Sequence, residues 1–234
     1  MPNILITGST RGIGAAALAA LETSGATVIG HGTRGTDKMI GGDLAIPGAA
    51  ERVWRLALEA LGGRIDVLIN NAGVFEAVEL DASDSDWSAT WSRSNAINLR
   101  APANLCRLAV LHFKAHGGGR IINVASCAGH RGDSPQHWHY AAAKAGLIGM
   151  TKTIARAYAA ENILAFSVAP GFTMTGMAED YVSSRGGDKL LADIPLGRVA
   201  SADEVGEVIR WLALEAPPSL TGATLDINGA SYVR

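Results

Sequence analysis

Thr7-Gly8-Ser9-Thr10-Arg11-Gly12-Ile13-Gly14 closes a short apolar run, Asn3-Ile4-Leu5-Ile6, and opens an alanine-rich stretch that reads as helix over residues 13–24. Strand, glycine turn and helix in that order define a place as well as a shape. A parallel sheet puts ligands at the carboxyl ends of its strands. A glycine turn there lets main-chain N–H groups approach a pyrophosphate at a helix N-terminus, where the helix dipole favours anions. Gly14 allows close packing of helix on strand. The spacing G-x-x-x-G-x-G differs from the commoner G-x-G-x-x-G. Taken alone, the loop also reads as a plain glycine-rich turn.

Further along the chain, short apolar runs alternate with longer helical patterns. Strands are expected at 3–7, 26–31, 65–70, 120–125, 163–169 and 223–227. Helices are expected at 13–24, 47–61, over most of 84–115, at 139–160 and at 201–214. Pro47 suits a first helical turn, whose N–H is unpaired anyway. Ser201-Ala202-Asp203-Glu204 has the form of a capping box. The strand runs are continuous rather than alternating, as in strands buried on both faces. This order predicts an α/β fold: a single Rossmann-type, doubly wound parallel sheet with helices on both faces. One domain, 1–234, accommodates it, since no repeat, linker or composition shift divides the chain.

Composition narrows the function classes. Of 234 residues, 48% are hydrophobic and 18% charged, enough for a core and unlike a disordered chain. Net charge is −2 with no Lys/Arg run, so the footprint of a nucleic-acid or anionic-membrane binder is missing. The first residues lack the basic and long apolar regions of a secretory signal. No apolar run reaches the ~18 residues of a spanning helix. Cys106 and Cys127 make no disulfide framework. A cytoplasmic protein with reduced thiols is expected.

Tyr140 and Lys144 stand four apart in His139-Tyr140-Ala141-Ala142-Ala143-Lys144, on one face of a helix. A free tyrosine titrates near ~10 and a lysine near ~10.4. A cation one turn away favours the phenolate and lowers the tyrosine pKa toward working pH. Such a phenol can give a proton to a carbonyl oxygen or take one back. By itself the pair also reads as an exposed helix contact. Other motifs fall in a fixed order around it: Asn70-Asn71-Ala72-Gly73 after a strand, Asn98 in Asn95-Ala96-Ile97-Asn98-Leu99, Ser126 closing a strand, and Pro170-Gly171 after a later one.

This order resembles the short-chain dehydrogenase/reductase family over essentially the whole chain. It looks most like the 3-oxoacyl-[acyl-carrier-protein] reductase branch, which Leu196-Gly197-Arg198 and Thr221 to Gly229 also match. The resemblance implies Tyr140 as general acid/base, with Lys144 tuning it and holding the nicotinamide ribose. It implies that Ser126 hydrogen-bonds the substrate oxygen and that Asn98 anchors a water relaying protons to Lys144. For the cofactor it implies Gly8, Ser9, Thr10, Arg11, Gly12, Ile13 and Gly14 at the pyrophosphate and Asp43 and Leu44 at adenine. Asn71, Ala72 and Gly73 would line the ribose side. Pro170, Gly171, Thr173 and Thr175 would lie on the nicotinamide side, Thr175 meeting the carboxamide. Asp43 also reads as a turn residue.

NADP(H) is the expected cofactor, with NAD(H) the alternative. An NAD site usually carries an acid roughly 20 residues past the glycine loop. Gly32 stands there instead, and its neighbours Thr33 and Arg34, with Arg11, can hold a 2′-phosphate. Asp37 lies close enough to favour NAD if the loop shifts.

The chain departs from the family pattern at residues 34–43, at 129–139, and at Gly229-Ala230, where the family often has Gly-Gly. Residues 34–43 are short and glycine-rich, so a loop or single turn is expected where relatives fit a helix. Residues 129–139, GHRGDSPQHWH, gather His130, His137 and His139. No further Cys/His cluster supports zinc, so His137 and Trp138 are read as shaping the substrate pocket or packing at a subunit contact. Residues 174–196 read as a lid over substrate or as a rigid helix pair with Tyr181, Val182, Leu190 and Leu191 in the core.

The expected function is NADP(H)-dependent reduction of a carbonyl, such as a 3-oxoacyl thioester, to a secondary alcohol. Alternatives are a sugar, polyol or other secondary-alcohol dehydrogenase, and a non-catalytic nucleotide sensor or scaffold on the same fold. An acidic carrier would need a basic patch, for which Arg131, Arg185 and Lys189 are candidates. No metal, nucleic-acid or membrane partner is expected. The resemblance implies a homotetramer or homodimer, with helices 84–115 and 139–160 meeting their symmetry mates through Ala141, Ala142, Ala143, Ala145, Gly146 and Gly149.

Overall fold

A computed structural model describes residues 1–36, 38–174 and 191–234. The chain runs β1 (Asn3–Ile6), α1 (Gly12–Thr23), β2 (Thr27–Gly32), β3 (Met39–Gly41), α2 (Ala49–Ala60) and β4 (Val67–Asn70). Then come α3 (Asp84–Asn95), a π turn (Ala96–Arg100), α4 (Ala101–His116), β5 (Gly119–Val124), α5 (Ala128–Arg131) and α6 (Trp138–Tyr158). After β6 (Ile163–Pro170) and β7 (Thr173–Met174), β8 (Ala200–Ser201), α7 (Ala202–Leu214) and β9 (Thr224–Ile227) complete the described part.

Seven strands form one sheet in the order β3-β2-β1-β4-β5-β6-β9, and every pairing is parallel. All carboxyl ends therefore open on one edge. The strand order reverses between β1 and β4, which makes a crevice there. β7 and β8 form a separate two-stranded sheet.

Alternate residues of each strand feed opposite cores. Leu5, Leu68 and Ile121 pack with α2, α4 and α6 through residues such as Val53, Leu105, Phe113 and Ile154. Ile4, Ile6, Val67, Ile69, Ile122 and Val124 pack with α1 and α7 through Ala17, Leu21, Val205 and Ile209. Burial on both faces is why the strands read as unbroken apolar runs.

The expected fold class is present, with local corrections. The interval 34–43, expected as a loop or turn, contains β3, paired with β2 from Gly30↔Met39 to Gly32↔Gly41. Glycines make this possible: a Cβ on Gly41 would lie 2.4 Å from the Gly35 nitrogen. Pro47 precedes α2 rather than opening it, because Gly48 caps the helix with φ +82°. The helical span 84–115 is broken by the π turn. Its cause lies in the sequence, since Pro102 lacks the N–H that an α-helix would offer to the Asn98 carbonyl. The lid expected at 174–196 falls, for residues 175–190, outside the described residues, as do Asp37 and Thr175. Among the described residues no helix is long and apolar enough to cross a membrane.

Candidate active site

The crevice between β1 and β4 is built around the glycine turn. Thr7 Oγ1 accepts from the Asn71 and Ala72 main-chain N–H groups, both at 3.1 Å. Asn71 Nδ2 donates back to the carbonyls of Thr7 (3.0 Å) and Gly8 (2.9 Å). Two loops from neighbouring strands are thus laced together. Gly8 has φ +66°, and a Cβ there would sit 2.6 Å from Ala72 Cα. A Cβ on Gly14 would sit 2.2 Å from the Gly8 oxygen. The N-cap of α1, Arg11, has no side-chain cap hydrogen bond, and the first turn of α1 holds no acidic residue. Its N-terminal N–H groups suit an anion. This bare main-chain cradle fits the pyrophosphate of a dinucleotide.

At the outer end of the crevice the sequence reading missed His31. Its Nε2 lies 2.9 Å from the Gly42 oxygen, and its Nδ1 accepts from the Gly8 N–H at 3.4 Å. Ser9 N–H donates to the His31 carbonyl at 2.9 Å, and His31 N–H to Ser9 Oγ at 3.1 Å. Ser9 is therefore a buried strut of the turn. Burial lowers the His31 pKa, so the ring stays neutral, donating on one side and accepting on the other. Asp43 Oδ1 accepts from the Ala45 N–H at 2.9 Å as a turn residue, and Leu44 is buried in the core. Thr10, Arg11, Thr33 and Arg34 are exposed. Among the described residues neither arginine pairs with a carboxylate.

Toward the centre of the edge, Ser126 follows β5, and its side chain adjoins Tyr140, from the first turn of α6. Ser126 Oγ also accepts from the Ala128 N–H at 3.1 Å. Lys144 is only 4% exposed. Its Nζ donates to the Val124 carbonyl at 2.8 Å and lies 5.6 Å from the Tyr140 ring centre. Burial pushes the Tyr140 phenol up to about 12, opposed by the adjoining Ser126 side chain. It pushes Lys144 down to about 8. The expected lowering of the tyrosine pKa is thus reversed in the protein alone, because burial disfavours the phenolate.

Asn98 sits in the π turn, fully buried. Its Oδ1 accepts from the Val74 N–H at 3.0 Å. Its Nδ2 donates to the Val74 carbonyl and to Ser94 Oγ, each at 3.0 Å. Both amide hydrogens are spent, so the side chain clamps the loop that carries Gly73. A Cβ on Gly73 would lie 2.9 Å from Asn98 Oδ1 and 3.6 Å from Lys144 Nζ. Only glycine leaves room between these two groups.

Comparison with known proteins agrees with this geometry. A family model described as enoyl-(acyl carrier protein) reductase matches residues 8–230. A 3-oxoacyl-[acyl-carrier-protein] reductase of Thermotoga maritima is 34% identical, covering 98% of this chain and 97% of the relative. One from Vibrio cholerae is 33% identical over 98% and 96%. Nodulation protein G of Rhizobium meliloti is 34% identical over 96% and 94%. The chain belongs to the short-chain dehydrogenase/reductase family. It is an oxidoreductase of the class acting on CH–OH and carbonyl groups, and the cradle fits the nicotinamide dinucleotide such enzymes use.

Against that family framework, the loop 129–139 separates its histidines. His130 faces Asp226 at 3.9 Å and stacks on Tyr232. His137 stacks flat on Phe75, ring centres 3.7 Å apart, and Ser134 Oγ lies 2.6 Å from its Nδ1. His139 points inward to Ser94. Phe75, which the sequence reading also missed, is 46% exposed and meets Tyr140 edge to face at 4.8 Å. The signal was available, since Phe75 directly follows the Asn71-Ala72-Gly73-Val74 turn. On the far side, the Pro170 carbonyl accepts from the Cys127 N–H at 2.9 Å. Gly171 packs against Asn228, and Thr173 Oγ1 donates to the Gly171 oxygen at 3.1 Å. These bonds fix the turn beyond β6 against the Ser126 loop.

Proposed function

We propose that this protein reduces the keto group of a 3-oxoacyl thioester to a secondary alcohol with NADPH. The observation behind the reading is the grouping of Ser126, Tyr140 and buried Lys144 at the carboxyl end of β5. A phenol held protonated by burial is in the state that carbonyl reduction requires. Tyr140 donates its proton to the substrate oxygen. Ser126 hydrogen-bonds that oxygen and stabilises the charge developing on it. Lys144 holds the nicotinamide ribose and its ammonium favours the phenolate left behind. The Asn98 carbonyl, denied an α-helical partner by Pro102, holds a water that returns a proton toward Lys144. The bound dinucleotide supplies the hydride.

NADPH is favoured over NADH by the end of β2. A Cβ at Gly32 would sit 2.5 Å from Thr10 Cγ2 and 3.3 Å from the Arg34 oxygen. Glycine carries no charge, so nothing at that position repels a 2′-phosphate. Arg11 and Arg34 are the cations to grip it.

The test is the initial rate of NADPH and NADH oxidation with acetoacetyl thioester at matched concentrations. NADPH should be preferred, and Tyr140→Phe should lower kcat by ~100-fold or more, the usual range for a lost general acid. Turnover only with sugars or polyols in the oxidative direction would replace the thioester reading with an alcohol dehydrogenase. Cofactor binding without any turnover would leave a nucleotide sensor.

A further inference from the structure

Ser94 lies in the last turn of α3, and His139 lies in the first turn of α6, one residue before Tyr140. The two are 45 positions apart in sequence, yet Ser94 Oγ lies 2.8 Å from His139 Nδ1. The same oxygen accepts from Asn98 Nδ2 at 3.0 Å. Ser94, Asn98 and His139 are all fully buried.

We propose that Ser94 and His139 are positioning residues, which lock Asn98 and the start of α6 together through one shared hydroxyl. The inference rests on the proposed roles of Asn98 and Tyr140. The proposed direction of these bonds keeps within the donor and acceptor capacity of each group. Asn98 gives one amide hydrogen to the Val74 carbonyl and the other to Ser94. The Ser94 hydroxyl, having accepted, donates its own hydrogen to His139 Nδ1. His139 is then neutral, with its hydrogen on Nε2. That nitrogen completes no hydrogen bond among the described residues, while the Glu76 and Gln136 main chain approaches the ring. Desolvation lowers the His139 pKa and so favours the neutral ring.

The chain of contacts has a chemical consequence. Asn98 holds Val74 by both its N–H and its carbonyl. If Ser94 loses its hydroxyl, one buried amide hydrogen of Asn98 is orphaned. The amide then turns, the Val74 grip loosens, and the loop that carries Gly73 up to Lys144 shifts. On the other side of the hydroxyl, His139 loses its tether and Tyr140 moves with it. Small misplacements of reacting groups are costly in rate, whereas among the described residues the pyrophosphate-facing turn, residues 8–14, makes no hydrogen bond to Ser94, Asn98 or His139. The defect should therefore fall on kcat and spare cofactor binding.

Four variants of the full-length protein test this: Ser94→Ala, Ser94→Thr, His139→Phe and His139→Asn. Steady-state kinetics and NADPH affinity by fluorescence quenching are measured on each. Hydrogen exchange at the Val74 amide adds a readout that needs no turnover. Ser94→Ala and His139→Phe should each lower kcat by ~10-fold or more, with the NADPH dissociation constant within about twofold. Ser94→Thr and His139→Asn keep a polar atom at the bonding position and should restore most of the rate. Combining Ser94→Ala with His139→Phe should be no worse than the poorer single variant, because both break one unit. Val74 exchange should accelerate in Ser94→Ala. Unchanged kcat and unchanged Val74 exchange in Ser94→Ala would overturn the proposal, as would His139→Asn failing as badly as His139→Phe. Loss of the thioester reading shows differently: wild-type enzyme without turnover, or a Tyr140→Phe variant that keeps its rate.

Discussion

At the residue scale, Lys144 and Tyr140 titrate away from each other. Lys144, at about 8 instead of its usual 10.5, loses its proton earlier than an exposed lysine. Reduction should therefore weaken as pH rises through about 8, since the ammonium that favours the phenolate disappears while Tyr140 is still protonated. The pH profile of kcat/KM reports the free enzyme, and a flat profile from pH 7 to 9 would remove Lys144 from this role. The linkage to stability has a sign for each group. Between about 8 and 10.5 the unfolded chain holds the Lys144 proton that the folded chain has released, so that residue adds stability as pH rises. Tyr140 does the reverse: its contribution is present below its ordinary value of 10.0 and is lost as pH rises to about 12. A second residue-scale test concerns the cofactor. Arg34→Ala should raise KM for NADPH and leave NADH little changed. Gly32→Asp should weaken both cofactors, because the new Cβ displaces Thr10 before its charge matters. Equal effects of Arg34→Ala on the two cofactors would contradict the phosphate role.

At the element scale, α7 shows what a short stretch of sequence can specify. Ser201 Oγ accepts from the Glu204 N–H at 3.1 Å, and Glu204 Oε2 accepts from the Ser201 N–H at 2.8 Å. Arg198 forks onto the same carboxylate at 2.7 Å through both nitrogens. Ser201→Ala should cost about 1 kcal/mol and lower Tm by about 2–4 °C for a chain of this size, as read by calorimetry. Hydrogen bonding from Arg198 holds the Glu204 carboxyl down at about 2. Its contribution to stability is therefore full above the ordinary carboxylate range and fades as pH falls toward 2. The capping box was legible because all of its partners lie within six residues. β3 was not, because three residues carry no periodicity and the strand exists only through glycines that let Gly35 and Gly41 cross. The π turn was half legible: Pro102 is visible, but its effect depends on which carbonyl it strands. Tyr140, Lys144, Ser126 and Asn98 were named from their order in the chain. The Tyr140 pKa was misjudged because burial cannot be read from a spacing of four. Ser94, His31 and Phe75 were missed because their partners lie 45, 23 and 65 residues away.

At the scale of the whole molecule, the outer face of α6 remains to be explained. Within one protomer Gly146 packs against Leu99, but a Cβ on Gly149 would meet nothing within 4 Å. Ala142, Ala145 and Gly149 are exposed on this helix, and Leu111 on α4 is 55% exposed. Relatives of this family are generally oligomeric, and we propose that α4 and α6 meet the same helices of a second copy here, small residues letting the backbones approach. Gly149→Leu separates this from a merely solvated face. Inside one protomer the leucine has room, and replacing a mid-helix glycine should stabilise the helix by up to about 1 kcal/mol. Against a second copy it would hold the helices apart and disrupt an interface that needs roughly 1,200–2,000 Å² of close contact. Light scattering of the variant should thus give a smaller particle than wild type, with an unchanged circular dichroism spectrum. A variant of wild-type mass would show that this face does not join the copies. A wild-type protein that is itself monomeric would remove the oligomer altogether.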